Sequence, residues 1–268
     1  MKQSMLIEPA ELRDGSTATV FDCRYSLADP QEGARLYRLG HVPGAHYLDL
    51  NLDLSGPVGE HGGRHPLPDP AAFAGTLARH GVEPDTEVVA YDDSRLGFAA
   101  RLWWLMKSLG YRPPRLLNGG YQCYLGAGGR IEQEVPTAPS AAVPGGAAFS
   151  DMCDIHGLRQ LQGAGALLVD SREKGRYQGL EEPIDPVAGH IPGALNRPWQ
   201  GVTDMQGRVV SEEALRGHWG ELLDTEQLLV VYCGSGVTAC VNLFSLALLG
   251  RDDGTLYAGS WSDWCSYL

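Results

Sequence analysis

The stretch Leu229-Val-Val-Tyr-Cys-Gly-Ser-Gly-Val-Thr-Ala-Cys240 joins an apolar run to a second apolar segment through a loop with one cysteine and two glycines. The run 228–232 is rich in branched residues, which is typical of a buried parallel strand. The segment 239–249 is apolar enough for a buried helix. Cys233 is therefore predicted to lie where the carboxyl end of a strand meets the amino end of a helix. In open α/β sheets this edge forms the ligand crevice, and the helix points unpaired N–H groups into it.

The loop 233–238 predicts a nucleophilic cysteine. Gly234 and Gly236 allow the backbone to curl so that successive amides converge, and such a nest favours the thiolate form of Cys233. A tight turn around an inert, buried cysteine is the alternative. The strand, the glycines and the helix all converge on Cys233, which favours the reactive interpretation.

Two other cysteine chemistries fit the loop poorly. A cysteine phosphatase needs an arginine six positions after the cysteine to hold the phosphate, and this chain has Ala239 there. A dithiol oxidoreductase needs Cys-x-x-Cys, whereas the next cysteine here is Cys240. A resolving role for Cys240 stays open.

An internal repeat gives the architecture. The turn Gly40-His-Val-Pro-Gly-Ala45 recurs as Gly189-His-Ile-Pro-Gly-Ala194, and each copy follows an apolar run that ends in aspartate. The lead-in to the cysteine also recurs, as Val88-Val-Ala-Tyr-Asp92, with aspartate in place of cysteine. Strands alternate with helices in each half, and helices are predicted at 73–80 and 98–109. This pattern predicts an α/β protein with two tandem domains, each a mainly parallel sheet with helices on both faces.

The repeat also predicts the domain boundaries. We expect a noncatalytic domain at 1–126, a linker at 127–149 and a catalytic domain at 150–268, because the segment between the halves is rich in Pro, Gly, Ala and Ser. In the first domain Asp92 has no thiol chemistry, and the following Asp93-Ser-Arg-Leu-Gly97 is expected to repel an anion. The surface of this domain, including the loop 64–68, is expected to close the active-site cleft.

Composition excludes several classes of function. The chain of 268 residues carries a net charge of −12 without a basic block, which argues against nucleic acid and anionic membranes as partners. Apolar residues make up 43% and charged residues 20%, as in a globular protein, and no apolar run reaches the ~18 residues of a membrane span. We therefore expect a cytoplasmic protein. Its six cysteines lack metal-type spacing, so that neither a metal site nor a disulfide framework is predicted.

The doubled domain, the two Gly-His-x-Pro-Gly-Ala turns and the Cys-Gly-Ser-Gly-Val-Thr loop together resemble the tandem-domain rhodaneses, a family of sulfurtransferases, over nearly the whole chain. The loop itself resembles that of the 3-mercaptopyruvate sulfurtransferases, since thiosulfate enzymes of this build usually place arginine and lysine after the cysteine. Here Gly234 and Ser235 hold those positions. An uncharged loop suits a donor whose carboxylate lies away from the reacting sulfur better than it suits a compact dianion.

The resemblance implies a double displacement through a persulfide on Cys233. The donor, 3-mercaptopyruvate or alternatively thiosulfate, would release pyruvate or sulfite. The sulfur would pass to a thiol acceptor, such as a thioredoxin-like protein or glutathione, or to cyanide. Loop amides would stabilise the persulfide without any metal or organic cofactor; the predicted set is Gly234, Gly236, Val237 and Thr238. A sulfur-relay binding module that turns over no small donor is the alternative from another class.

The resemblance also assigns the anion-binding arginines. Arg176 matches the family's arginine for the substrate anion, with a surface or interdomain salt bridge as the alternative. The mercaptopyruvate enzymes place a second arginine nine residues later, where this chain has Asp185. Half of the carboxylate clamp is thus predicted to be missing. Arg197 is a candidate to substitute for it from another direction, although an ordinary exposed position on the surface is the favoured interpretation of this arginine. Arg172 is interpreted as structural.

A serine, histidine and aspartate relay in some mercaptopyruvate enzymes would correspond here to Ser235, His65 and Asn51. Asparagine can orient an imidazole but cannot stabilise its protonated form as a carboxylate does, although Asp53 lies near in sequence. A capping or packing role for His65 is the alternative. The histidines of the two repeated turns, at positions 41 and 190, are predicted to be structural because both halves carry them.

Overall fold

The computed structural model describes residues 5–13, 17–137, 140–143, 145 and 148–268. They form two compact units. The first unit comprises the described residues within 1–56, 68–150 and 205–209, and the second comprises 57–67, 151–204 and 210–268. The sequence predicted two contiguous domains. In the structure the segment 57–67, from the first half of the chain, packs with the second unit, and the segment 205–209, from the second half, packs with the first.

The first unit is built on a five-stranded parallel sheet. Its strands, in the spatial order β1-β5-β4-β2-β3, are β1 (Leu6–Ile7), β2 (Thr19–Asp22), β3 (Ala45–Tyr47), β4 (Val88–Tyr91) and β5 (Arg115–Leu117). Its helices are α1 (Pro9–Arg13), α2 (Glu32–Leu39), α3 (Pro70–Arg79), α4 (Ala99–Ser108) and α5 (Gly120–Gly126). Helix α3 begins earlier than predicted because the Asp69 carboxylate caps the N–H of Ala72 at 2.9 Å and Pro70 takes the first helical position.

The second unit repeats this order in its own parallel sheet, β6-β10-β9-β7-β8. The strands are β6 (Met152–Cys153), β7 (Leu167–Asp170), β8 (Leu195–Asn196), β9 (Leu229–Tyr232) and β10 (Thr255–Tyr257). The helices are α6 (Ile155–Gly163), α7 (Lys174–Tyr177), α8 (Glu212–Trp219), α9 (Ala239–Leu248) and α10 (Ser260–Cys265), with short 3₁₀ turns at Trp199–Val202 and Gly220–Leu223.

The central strands β4 and β9 are buried at all four of their residues. Because successive side chains of a strand point to opposite faces of the sheet, both faces of each sheet are covered there. The predicted α/β class with two parallel sheets is confirmed. In the described part of the chain, no helix combines the length and apolarity needed to cross a membrane.

The repeated turns are held in the same way in both units. His41 stacks on Tyr37 at 3.9 Å between ring centroids and His190 stacks on Tyr177 at 4.0 Å. In each turn Nδ1 of the histidine lies 2.7–2.8 Å from the carbonyl oxygen of the tyrosine on which the ring stacks. In each unit these contacts join the turn to the preceding helix, α2 or α7.

The start of the predicted linker packs on the first unit. Glu132 exchanges two backbone hydrogen bonds with His41, each 3.0 Å long, and Nε2 of His41 lies 3.1 Å from the carbonyl oxygen of Glu134. This part of the chain is therefore anchored. Other linker positions, at 138–139, 144 and 146–147, lie outside the described residues.

Candidate active site

Cys233 lies directly after β9, and the loop 233–238 leads from it to the first residue of α9. The cysteine is buried, with 2% of its surface exposed. Its N–H donates to Oγ of Ser260 at 3.2 Å, and its carbonyl accepts from the N–H of Trp261 at 3.0 Å. The carbonyl of Gly234 accepts from the N–H of Ser262 at 2.9 Å. The start of α10 thus fixes the backbone on which the thiol is mounted.

Gly236 has the conformation that the nest requires. Its φ is +75°, a left-handed value that residues with side chains rarely adopt. A Cβ at this position would lie 2.2 Å from the carbonyl oxygen of Ala258, a backbone atom that cannot easily move away. The loop therefore curls tightly against the end of β10 only because position 236 is glycine.

His65 and Ser235 lie together, 170 residues apart in sequence. Nδ1 of the imidazole is 2.8 Å from Oγ of the serine, and both residues are buried. The tautomer of the imidazole decides which of the two donates. The contact joins the histidine loop to the cysteine loop within the second unit.

The histidine loop is anchored on α10. The N–H of Gly62 donates to the carboxylate of Asp263 at 2.7 Å, and the N–H of Arg64 donates to Oγ of Ser262 at 3.1 Å. A Cβ at Gly63 would lie 2.4 Å from the carbonyl oxygen of Gly259. This close approach explains how residues from the first half of the sequence become part of the second unit.

Two guanidinium groups lie over the cysteine loop. A Cβ built at Gly234 would be 3.0 Å from Nη2 of Arg64 and 3.4 Å from Nη1 of Arg176. Arg176 was expected near the reacting cysteine, whereas a second arginine was expected to be missing. The position nine residues after Arg176 is Asp185, as the sequence indicated, and Arg64 brings a second guanidinium to the cysteine loop from a different part of the chain.

Carboxylates connect these arginines into one network. Asp185 binds Arg64 through Oδ1 and Arg176 through Oδ2, the latter at 2.9 Å. Glu182 binds Arg176 at 2.8 Å and Arg172 at 3.1 Å. Arg172 is itself buried and pairs with Asp170 at 2.7 Å. Three arginines and three carboxylates are therefore joined by ion pairs, and their formal charges cancel.

The pKa values of the two carboxyl groups beside Arg176 are shifted in opposite directions. Burial raises the pKa of Asp185, although Arg64 and Arg176 oppose the shift. For Glu182 burial acts in the same sense, but hydrogen bonds from the N–H of Asp185 and from Arg176 outweigh it and lower the pKa. Hydrogen bonds thus stabilise the ionised form of Glu182, whereas the ionised form of Asp185 is stabilised against burial by its two arginines.

The remaining predicted residues lie elsewhere. Asn51 donates to the hydroxyl of Tyr25 at 2.6 Å, and Asp53 accepts from the N–H of Asp49 at 2.9 Å, all within the first unit. Arg197 donates to the backbone carbonyls of Asn196 and Trp219, so that its guanidinium ties strand to helix.

The cysteines do not form disulfides. All six are free thiols, and Cys240 lies buried in α9 with its sulfur 3.4 Å from the carbonyl oxygen of Gly236. Among the residues that the structure describes, no group of three or more His, Cys, Asp or Glu side chains could hold a metal ion.

The loop of the first unit that corresponds to the cysteine loop is also a nest. The Asp92 carboxylate accepts four backbone hydrogen bonds of 2.8–3.0 Å, from the N–H groups of Ser94, Leu96, Phe98 and Ala99. The N–H groups of this segment, which was expected to repel an anion, converge on the carboxylate of Asp92. The loop binds an anion that the chain itself supplies.

Sequence reasoning missed Arg64 and Asp185 as parts of one site. The only signal in the sequence was indirect. Arg64 precedes His65 in the loop expected at the cleft, and Asp185 occupies the position of the family's second arginine.

Comparisons with known proteins agree with this geometry. A family model described as "Rhodanese-like domain" matches residues 8–127 and 155–267. A Pseudomonas aeruginosa protein named as a probable 3-mercaptopyruvate sulfurtransferase is 45% identical over 91% of this chain and 88% of its own length. The thiosulfate sulfurtransferase of Cricetulus griseus is 34% identical over 94% of this chain and 88% of its own. The structure of 3-mercaptopyruvate sulfurtransferase from Leishmania major superimposes with a TM-score of 0.88 at 31% identity, over 100% of this chain and 76% of that one.

Proposed function

Because the chain belongs to the rhodanese family, we propose that it is a sulfurtransferase in which Cys233 carries the transferred sulfur as a persulfide. The observation that carries this proposal is the curled loop 233–238 with its left-handed Gly236, a buried Cys233 at its start and two guanidinium groups over it. Such a site favours an incoming anion.

The nest of the first unit supports the persulfide specifically. The offset between the two loops is 233 − 92 = 141, so that the N–H groups of Ser94, Leu96 and Phe98 correspond to those of residues 235, 237 and 239. A carboxylate oxygen of Asp92 and the outer sulfur of a cysteine persulfide both lie two bonds beyond Cβ. The thiol sulfur lies only one bond beyond it. By this correspondence, the outer sulfur of a persulfide at Cys233 would take the position that the carboxylate oxygens of Asp92 occupy in the first unit.

With 3-mercaptopyruvate as donor, the Cys233 thiolate attacks the donor sulfur. An S–S bond forms, the C–S bond breaks, and its electron pair leaves on carbon as the enolate of pyruvate. The thiol proton of the donor passes to that carbon, and the persulfide anion stays in the nest. The hydrogen-bonded pair of Ser235 and His65 is the group beside the loop that can carry this proton.

Arg64 and Arg176 would hold the carboxylate of the donor. Guanidinium groups bind carboxylates through paired N–H donors, and both groups lie within contact distance of a side chain built at Gly234. They provide the two-arginine clamp that the sequence alone did not show. Loop residues 234–238 carry no charge of their own, which favours 3-mercaptopyruvate over thiosulfate.

A thiol would then accept the outer sulfur and return Cys233 to the thiolate. A thioredoxin-like dithiol protein is the acceptor that we propose, with glutathione and cyanide compatible with the same chemistry. Residence in the cytoplasm is part of the proposal, because the cycle needs a reduced cysteine and all six cysteines are free thiols.

The test is the mass of the intact protein before and after incubation of the reduced chain with 3-mercaptopyruvate or, separately, thiosulfate. We expect 3-mercaptopyruvate to add one sulfur atom faster, and a dithiol to remove it. Cys233→Ser should gain nothing. Cys123→Ser, which removes a half-exposed thiol in the first unit, should load like the natural chain.

Each outcome has one meaning. Faster loading by thiosulfate would make thiosulfate the donor. If neither donor loads the natural chain, turnover of small donors is excluded and a sulfur-relay module becomes the better account. If Cys233→Ser still gains sulfur, the assignment of the nucleophile is wrong.

A further inference from the structure

Asp185 is buried between the two guanidinium groups that face the cysteine loop. Its side chain is 2% exposed, and each of its carboxylate oxygens binds a different arginine, Arg64 or Arg176. It therefore occupies the kind of bridging position that the carboxylate of a bound donor would take. The chain supplies this anion from the position where the family's clamp has an arginine.

The charge of Asp185 determines the net charge of the network that an incoming donor meets. With Asp185 ionised, the three arginines and three carboxylates sum to zero, so that an incoming donor adds its full charge to a neutral cluster. A donor with one negative charge disturbs this balance by one unit, and a dianion disturbs it by two. Because Coulomb energy scales with the charge of the donor, the penalty set by Asp185 is twice as large for the dianion.

We propose that Asp185 is a specificity-determining residue, which disfavours doubly charged sulfur donors relative to singly charged carboxylate donors while it fixes the spacing of Arg64 and Arg176. This inference rests on the sulfurtransferase function proposed above. It names the feature of the site that separates 3-mercaptopyruvate from thiosulfate. Asp185 acts through the two arginines and does not touch the sulfur.

The experiment measures binding in the absence of sulfur transfer. Calorimetry gives the dissociation constants of pyruvate, a monoanion, and sulfate, a dianion, for Cys233→Ser and for the double variant Cys233→Ser/Asp185→Asn. Asparagine keeps the size of the side chain and one oxygen acceptor but removes the charge. We expect Asp185→Asn to tighten sulfate binding by about tenfold and pyruvate binding by about threefold, because the dianion gains twice the free energy.

Glu181→Gln, also in the Cys233→Ser background, is the matched control. It removes one negative charge from the same loop, but Glu181 is exposed and forms no ion pair with the arginines. This variant should leave the ratio of the two dissociation constants unchanged. Thermal unfolding of each protein checks that the second unit remains folded.

Several results would overturn the inference. If Asp185→Asn weakens both anions, the residue only positions the arginines. If it shifts both equally, or if Glu181→Gln shifts the ratio as much, Asp185 does not select by charge. If neither anion binds either protein at millimolar concentration, the arginines form no anion site. Because binding is measured without the thiol, these results are independent of persulfide loading, which alone tests the proposed function.

Discussion

Replacing Gly236 with alanine tests how closely the cysteine loop depends on its backbone. The residue has a φ of +75°, and its Cβ would approach the carbonyl oxygen of Ala258 to 2.2 Å. Two costs therefore add: the left-handed backbone of an alanine, and the displacement of one backbone segment from another.

The structure allows the two costs to be separated. Gly250 also has a positive φ, +87°, but an added Cβ would meet nothing within 4 Å. Gly250→Ala should therefore cost only the backbone term, about 1 kcal/mol. Gly236→Ala carries that term and must also move the loop by roughly 1 Å to restore an ordinary contact, which brings the expected loss of stability to about 3 kcal/mol. Because the N–H groups move with the loop, loading of Cys233 should fall at least about tenfold.

Urea unfolding followed by tryptophan fluorescence gives the stabilities, and intact mass gives the rate of persulfide formation. Gly234→Ala is a second control inside the loop. Its Cβ would press only on the flexible ends of Arg64 and Arg176, so that stability should change little. If Gly236→Ala is as stable as Gly250→Ala, or if it loads sulfur at the rate of the natural chain, the loop does not depend on glycine at position 236.

Two further outcomes are expected. Cys233→Asp places in the second unit the side chain that accepts four N–H bonds at Asp92 in the first. This variant should transfer no sulfur but should be more stable than Cys233→Ala by about 1–3 kcal/mol in unfolding measurements. Equal stability of the two variants would show that the two loops differ. Burial, aided by the neighbouring charges of His46 and Arg79, lowers the pKa of His80 to about 4. The folded protein then binds fewer protons than the unfolded chain below pH 6.5, so stability should fall as the pH drops from 6.5 to about 4, by about 2 kcal/mol after solvent screening is allowed for. His80→Leu should remove this part of the pH dependence, and an unchanged slope would contradict the assignment.

Local patterns in the sequence were sufficient for the fold. The period of the apolar residues and the repeated turns predicted the two parallel sheets, and the helix predicted at 98–109 is observed at Ala99–Ser108. The strand predicted at 228–232 is observed at Leu229–Tyr232. These elements are determined by residues close together in the chain, which is why periodicity could find them. The capping residue Asp69 was an equally local signal for the start of α3 and could have been used.

The composition of the candidate site could be predicted only in part, because its contacts join distant segments. His65 and Ser235 were paired through the family resemblance, but the contact between Arg64 and Asp185 spans 121 residues and has no local pattern. The absence of an arginine at 185 was visible in the sequence, whereas the second guanidinium that Arg64 brings to the cysteine loop was not. The four N–H groups that bind Asp92 were not visible in the sequence either, because their direction is set by the backbone and not by the charge of the segment.

The two nests differ in where their negative charge comes from, and this difference explains the site. In the first unit Asp92 fills the nest, so that the loop is electrically complete without a ligand. In the second unit the corresponding side chain is a thiol, and the two guanidinium groups over the loop would attract small anions from solution. A counter-charge is needed that neutralises the arginines without entering the nest. Asp185 meets this requirement, because it binds Arg64 and Arg176 and leaves the nest to the sulfur.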